Sequence, residues 1–168
     1  NELNLEALKI IKFREHYNTL YHDKQNSQYI TIYNKPLDLY FLFQENPEFV
    51  KEFIPALKSL IIEKKNNKIL LKGYIMKEGR RLITSEYLVF IDNINKQKII
   101  DFIKKTKHYY WDMTARNAIY LKEEDKISLI DLESFKSLRV KKKNRNVKIT
   151  GYVPDWYRET CESLKYYE

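Results

Sequence analysis

Glycine is almost missing from this chain. Its 168 residues hold three, Gly73, Gly79 and Gly151, and the first seventy-two hold none. That scarcity excludes a Gly/Ser linker, and it leaves the first part of the chain without a glycine-rich loop through which backbone could approach phosphate closely. Cysteine occurs once, at Cys161, so an internal disulfide and a multi-cysteine metal site are excluded, and a reducing, cytoplasmic setting is expected. His16, His22 and His108 are scattered, which argues against a zinc site. No run approaches eighteen consecutive apolar residues, so no membrane-spanning helix is expected. The opening "NELNLEALKIIKF" puts acids before its apolar positions and reads as an amphipathic helix over 5–13, not as a secretory signal. There is no internal repeat or low-complexity tract, and one domain spanning 1–168 is expected.

One further absence is local. Between positions 136 and 148 there is no acid, while Lys136, Arg139, Lys141, Lys142, Lys143, Arg145 and Lys148 carry nearly all of the net charge of +8. Two readings stand for this run. It is a solvated loop, or it meets an acidic partner such as nucleic acid, a phosphorylated substrate or an anionic membrane surface.

What is present is 43% hydrophobic and 32% charged residues, enough for one core under a heavily solvated surface. "HYNTLYH" and "QYITIYN" alternate and predict two strands around the polar turn "DKQNSQ". "LDLYFLF" is an apolar run expected as a buried strand. "NPEFVKEFIPALKSL" predicts a helix capped by Asn46, with Pro47 at its first position. "LIIEKKNNKILLKGYIM" predicts a hairpin turning at Asn66 and Asn67. "TSEYLVFIDNI" predicts a short helix capped by Thr84 or Ser85, and 96–108 a longer one with Ile99, Ile100, Phe102 and Ile103 on its apolar face. "AIYLKE" and "KISLIDL" predict a last hairpin through "EDK". Strands early and helices later define an α+β class.

The chemistry concentrates in "YYWDMTARNAIYLKEEDKISLIDLESF". Asp112 and Asn117 precede the first strand of that hairpin and Asp131 ends the second. The open ends of antiparallel strands are neighbours, so Asn117 and Asp131 are expected to meet, with Asp112 just above them. An amide oxygen beside a carboxylate suits magnesium, which keeps several positions for water and phosphate. A second carboxylate outside the metal shell can accept a proton from an attacking hydroxyl. The plain alternative is that Asp112 caps a turn and Asp131 ends a strand.

"WDMTARN" resembles the catalytic loop of protein kinases and their small-molecule kinase relatives, and "LIDLES" resembles their magnesium-binding Asp-Phe-Gly motif. "ILLKGYIMKEGRRL" looks like the last small-lobe strand and the hinge that reads adenine, and "TGYVPDWY" is similar to the family's Ala-Pro-Glu region. The likeness covers roughly 69–157. It implies a two-lobe fold, with 1–76 as the small lobe and 77–168 as a shortened large lobe. It implies ATP and Mg2+ as cofactors, Asp112 as catalytic base, Asn117 and Asp131 as magnesium ligands, and Met76 beside the nucleotide. The acceptor implied is a protein hydroxyl, with an acidic protein contacted by 136–148.

The departures are equally specific. Tyr110 and Trp111 stand where the family has His-Arg, Thr114 where many members have Lys, and Arg116 could neutralise the moving phosphate. Glu133 replaces the glycine of Asp-Phe-Gly, as in small-molecule kinases; it is either a second metal contact or a solvated acid. The lysine that grips phosphate is best sought at Lys35, partnered by Glu48 or Glu52. The chain ends eleven residues after Tyr157, so much of a large lobe is expected to be absent or completed by a partner or a second copy. Three functions follow: a phosphotransferase, a non-catalytic kinase-fold binding module, or a nucleic-acid-binding domain using the basic run with Tyr152, Trp156 and Tyr157.

Overall fold

The computed structural model describes residues 18–167, and the architecture is mixed α+β. The helix expected over 5–13 and the start of the "HYNTLYH" strand lie outside the described residues. Two strands, β1 (Asn18–Asp23) and β2 (Gln28–Leu37), pair antiparallel. Asp23 closes their turn: its carboxylate accepts from Asn26 Nδ2 at 2.8 Å and from Gln28 Nε2 at 3.0 Å. A second hairpin, β3 (Leu57–Lys65) and β4 (Lys68–Lys77), turns at Asn66 and Asn67 as expected. Both asparagines take positive φ, 52° and 63°, the left-handed conformation that a two-residue hairpin turn requires and Asn tolerates. The four strands form one sheet in the order β1-β2-β4-β3. Gly73 permits the central pairing, because a Cβ there would sit 2.1 Å from the Thr31 carbonyl oxygen.

Two expectations between these hairpins fail. "LDLYFLF" is not a strand but a turn leading into helix α1 (Tyr40–Gln44), which buries Leu42 and Phe43. A continuous apolar run has no period to separate strand from buried helix. Here β2 already ends at Leu37, and the chain must leave the sheet. The next helix, α2 (Pro47–Phe53), starts with Pro47 in its first turn as read, but it stops long before Leu60. Pro55 disfavours helical geometry in Ile54, and β3 takes over at Leu57. Asn46 does not cap α2 through its side chain; its Nδ2 donates to the Leu42 carbonyl at 2.8 Å, satisfying a carbonyl of α1 instead.

Beyond β4 the chain forms a short β5 (Arg80–Arg81), then α3 (Thr84–Asp92) and α4 (Lys96–Thr106). Neither Thr84 nor Ser85 caps α3. The Glu86 carboxylate does so, accepting from the Ile83 amide at 3.1 Å while pairing with Arg80 at 2.9 Å. Helix α4 is capped by Asn95 and ends two residues before His108, because Lys107 turns left-handed at φ 56°. It buries Ile99, Phe102 and Ile103 of the expected apolar face and leaves Ile100 half-buried. Phe102 stacks on Phe49 with centroids 3.7 Å apart and meets Phe135 edge-on, tying α2 and α4 to the later chain. Burial of each such ring contributes about 2–3 kcal/mol.

The remaining strands are short. β6 (His108–Tyr110) pairs antiparallel with β10 (Phe135–Ser137), and β7 (Asp112–Met113) pairs parallel with β11 (Thr150–Gly151). β8 (Ala118–Leu121) and β9 (Lys126–Leu129) form the expected hairpin, with β5 alongside β8. Helix α5 (Asp155–Leu164) follows Pro154 and buries Tyr157 and Cys161. One hydrophobic cluster runs from Tyr33 through Cys161. No helix among the described residues is long and apolar enough to cross a membrane.

Candidate active site

The hairpin β8–β9 brings its open ends together as the sequence predicted. Ala118 lies opposite Leu129, and the Ile130 amide donates to the Asn117 carbonyl at 2.9 Å, so Asp131 is the residue after the one that faces Asn117. Asn117 ends a 3₁₀ turn (Ala115–Asn117) and is 2% exposed. Its Nδ2 donates to the Asp112 backbone carbonyl at 2.9 Å, which fixes the amide and turns Oδ1 the other way. The Asp112 carbonyl also accepts from the Thr114 amide at 3.0 Å. One backbone oxygen thus holds the whole loop from 112 to 117.

Asp112 is set from the other side by β11 and α5. The Thr150 amide donates to the Trp111 carbonyl at 2.8 Å, and Gly151, at φ 90°, lets the two strands approach: a Cβ would lie 1.9 Å from the Met113 carbonyl oxygen. The Tyr157 hydroxyl accepts from the Tyr110 amide at 3.0 Å and donates to the Tyr110 carbonyl at 2.7 Å. One buried phenol therefore satisfies both backbone groups of a residue two before Asp112. The Asp112 carboxylate is 11% exposed and pairs with Arg116 at 3.1 Å; that guanidinium is 63% exposed. Tyr87 of α3 stands close enough that, after burial, the charge of Asp112 is the next cause holding its phenol above the usual range.

Asp131 takes a left-handed conformation, φ 56° and ψ 71°, uncommon for a residue with a side chain and found where surrounding contacts enforce it. Those contacts are the Ser134 amide donating to the Asp131 carbonyl at 2.9 Å and the Trp111 amide donating to the Ser134 carbonyl at 3.0 Å. Tyr110, 3% exposed, packs against Phe135 and donates its hydroxyl to the Ile130 carbonyl. Glu133 turns back to the four-stranded sheet. It accepts from the Tyr33 hydroxyl at 2.9 Å and lies 3.4 Å from that of Tyr74. The phenols of Tyr33, Tyr74 and Tyr110 are all pushed upward, first by burial and then by neighbouring charge or phenol: Tyr74 and Glu133 for Tyr33, Glu133 and Asp131 for Tyr74, Asp131 for Tyr110. The Glu133 carboxylate is thus answered by phenols.

The phosphate-gripping lysine is where the sequence reading fails. Lys35 is exposed, inside the register irregularity between Ile32 and Leu37 that breaks the alternation of β2. Glu52 pairs with Lys98 of α4, and Glu48 is exposed, so neither meets Lys35. The inward position on β2 belongs to Tyr33. Regular alternation of "QYITIY" contained that signal, since Tyr33 shares a face with Thr31. Met76 is buried, 4% exposed, on β4 between Tyr29 and Leu57, and adds apolar wall to this side of the core. Glu133 is not a solvated loop acid.

Among the described residues no three His, Cys, Asp or Glu side chains converge as a metal site. Asn117, Asp131 and Glu133 instead offer two carboxylates and one amide oxygen. Oxygen donors of this type are the ones magnesium takes, through one or two carboxylates with room left for phosphate and water, and Glu133 is here turned to Tyr33 and Tyr74. Comparison with protein-family models and with curated proteins finds no match for this chain.

Proposed function

We propose that this chain is an ATP- and Mg2+-dependent phosphotransferase of protein-kinase-like, two-lobe architecture, acting on a hydroxyl of a protein acceptor. The observation that carries the reading is the Asn117 amide clamped to the Asp112 carbonyl, with Ile130 across the hairpin from Asn117 and Asp131 the residue after it. The order of elements supports it too: a hairpin, a helical crossing, a second hairpin, two helices, then the loop bearing Asp112. Asp112 is the base. It takes the proton of the acceptor hydroxyl as that oxygen bonds to the γ-phosphorus, while the bond from γ-phosphorus to the β–γ bridging oxygen breaks and ADP leaves. Asn117 and Asp131, with Glu133, would hold Mg2+, which supplies charge neutralisation to the phosphates. Arg116 orients the Asp112 carboxylate through their ion pair. Met76 contributes apolar surface for the adenine ring.

The test is label transfer from γ-labelled ATP with Mg2+ to the protein itself and to a generic protein acceptor. Asp112→Ala is expected to lose about 10²–10⁴-fold of the transfer rate. Transfer that survives in Asp112→Ala refutes the assignment of the base.

A second reading, a non-catalytic kinase-fold binding module, is favoured by one observation: Tyr33, not a lysine, faces Glu133. It predicts no transfer by wild-type protein, while ATP with Mg2+ still raises the melting temperature.

A further inference from the structure

The basic run is not a loose loop. β10 pairs Lys136 with Tyr109 of β6, and Leu138 and Val147, buried to 1% and 5%, anchor the two ends of the segment between them. The Val147 amide donates to the Glu162 carboxylate of α5 at 2.7 Å, and Lys165 Nζ donates to the Arg145 carbonyl at 3.0 Å. Residues after α5 return along the run: the Val140 amide donates to the Tyr166 carbonyl at 2.9 Å, Arg139 bridges Tyr166 in parallel, and the hydroxyls of Ser137 and Tyr166 lie 3.1 Å apart. The cations are therefore displayed on a fixed frame.

Lys136, Lys141, Lys142, Lys143, Arg145 and Lys148 are all exposed, and none forms an ion pair among the described residues. Unbalanced like charge opposes compaction, so such a concentration on an ordered edge reads as a surface for an anion. Its aromatic content says which kind. Lys136 and Lys148 stand over the half-buried Trp111 ring at 4.7 and 4.6 Å. Tyr166, 37% exposed, lies along the same edge, and the residue after it, Tyr167, is 56% exposed. An acidic protein needs only the cations. Exposed tyrosines beside a row of cations on an ordered edge suit bases and phosphates together.

We propose that the edge formed by 136–148 and the tail at Tyr166–Tyr167 docks single-stranded nucleic acid, the phosphates lying on the six unpaired cations and bases stacking on the tyrosines. The aromatics expected for this role from the sequence are mostly engaged elsewhere. Tyr157 is buried, the Tyr152 hydroxyl donates to Asp92 at 2.9 Å, and Trp156 packs against Tyr157.

The experiment is fluorescence anisotropy of a labelled twelve-nucleotide single strand with the full chain, without ATP or Mg2+, across a salt series. Binding is expected to weaken with salt by about 0.7 log units per log unit for each phosphate contacted. Lys141→Ser with Lys142→Ser and Lys143→Ser should lower that slope by about 2. Tyr166→Ala with Tyr167→Ala should weaken binding about tenfold or more at fixed salt, the loss of a stacked base. A poly-glutamate peptide of equal charge should bind more weakly than the oligonucleotide and be indifferent to the tyrosine change. Equal binding of both ligands, or an oligonucleotide affinity unmoved by the tyrosine change, overturns the proposal in favour of an acidic protein; no binding at low salt overturns it outright. Asp112→Ala should leave this binding unchanged, so the docking surface and the phosphotransfer reading can fail separately.

Discussion

The two ends of the candidate site are held by the same chemical group in different ways. At the Asp112 end, the Tyr157 phenol grips backbone, closing both the amide and the carbonyl of Tyr110. At the Asp131 end, the Tyr33 and Tyr74 phenols face a carboxylate, that of Glu133. The first arrangement is electrically neutral and fully buried, so it belongs to the fold. The second holds charge, and its strength depends on what else neutralises that charge. A neutral grip on backbone stays in place whatever binds nearby, whereas a carboxylate held by phenols exchanges partners when a cation arrives.

Raising the pH should break both ends together, with the largest effect. Tyr33, Tyr74, Tyr110 and Tyr157 are held above the ordinary phenol range, in each case first by burial. Their folded pKa values lie above the unfolded value of about 10. Above that pH the unfolded chain carries fewer protons than the folded one. Their contribution to stability is thus complete below about pH 10 and is lost as pH rises further, by up to about 1.4 kcal/mol per pH unit for each group. Urea midpoints measured at pH 8, 10 and 11, with phenolate absorbance at 295 nm, test this; a folded protein in which all 14 tyrosines titrate near pH 10 contradicts it.

Tyr157→Phe separates the two ends. It strands a buried amide and a buried carbonyl, and a loss of about 2–4 kcal/mol in urea unfolding is expected. Tyr33→Phe leaves Glu133 only the longer contact with Tyr74, and a loss of about 1–2 kcal/mol is expected. Adding Mg2+ should shrink the Tyr33→Phe loss and leave that of Tyr157→Phe untouched. Equal responses of the two variants to Mg2+ would erase the difference between the two ends. Arg116→Gln should have the smallest effect on folding, within about 0.5–1 kcal/mol, because the guanidinium is mostly in water.

How much of this was legible in the chain depends on the range of the contact. The turn at Asn66–Asn67, the hairpin closing Asn117 onto Ile130, and the apolar face of α4 follow from residues close in sequence. Pro55 held a usable signal for the end of α2 that the apolar pattern around it outweighed. The run "LDLYFLF" held none, since its neighbours in space decide whether it adds a strand or packs as a helix. The charge of Lys35 and its place in the order of elements favour it for phosphate. The irregularity after Ile32 turned it outward, and Tyr33 kept the inward face.

Local sequence accounts for the α+β class, the turns, and the closing of Asn117 onto Ile130 at the open end of the β8–β9 hairpin. Steric preference, strand alternation and hairpin closure act within a few residues. Tertiary structure alone decided that Glu133 meets Tyr33, one hundred positions away. It also decided that Tyr157 fastens the strand before Asp112 and that Tyr166 lies along the basic run. Those contacts depend on which faces remain to be covered once the sheet and helices have packed, a condition that no short stretch of the chain contains.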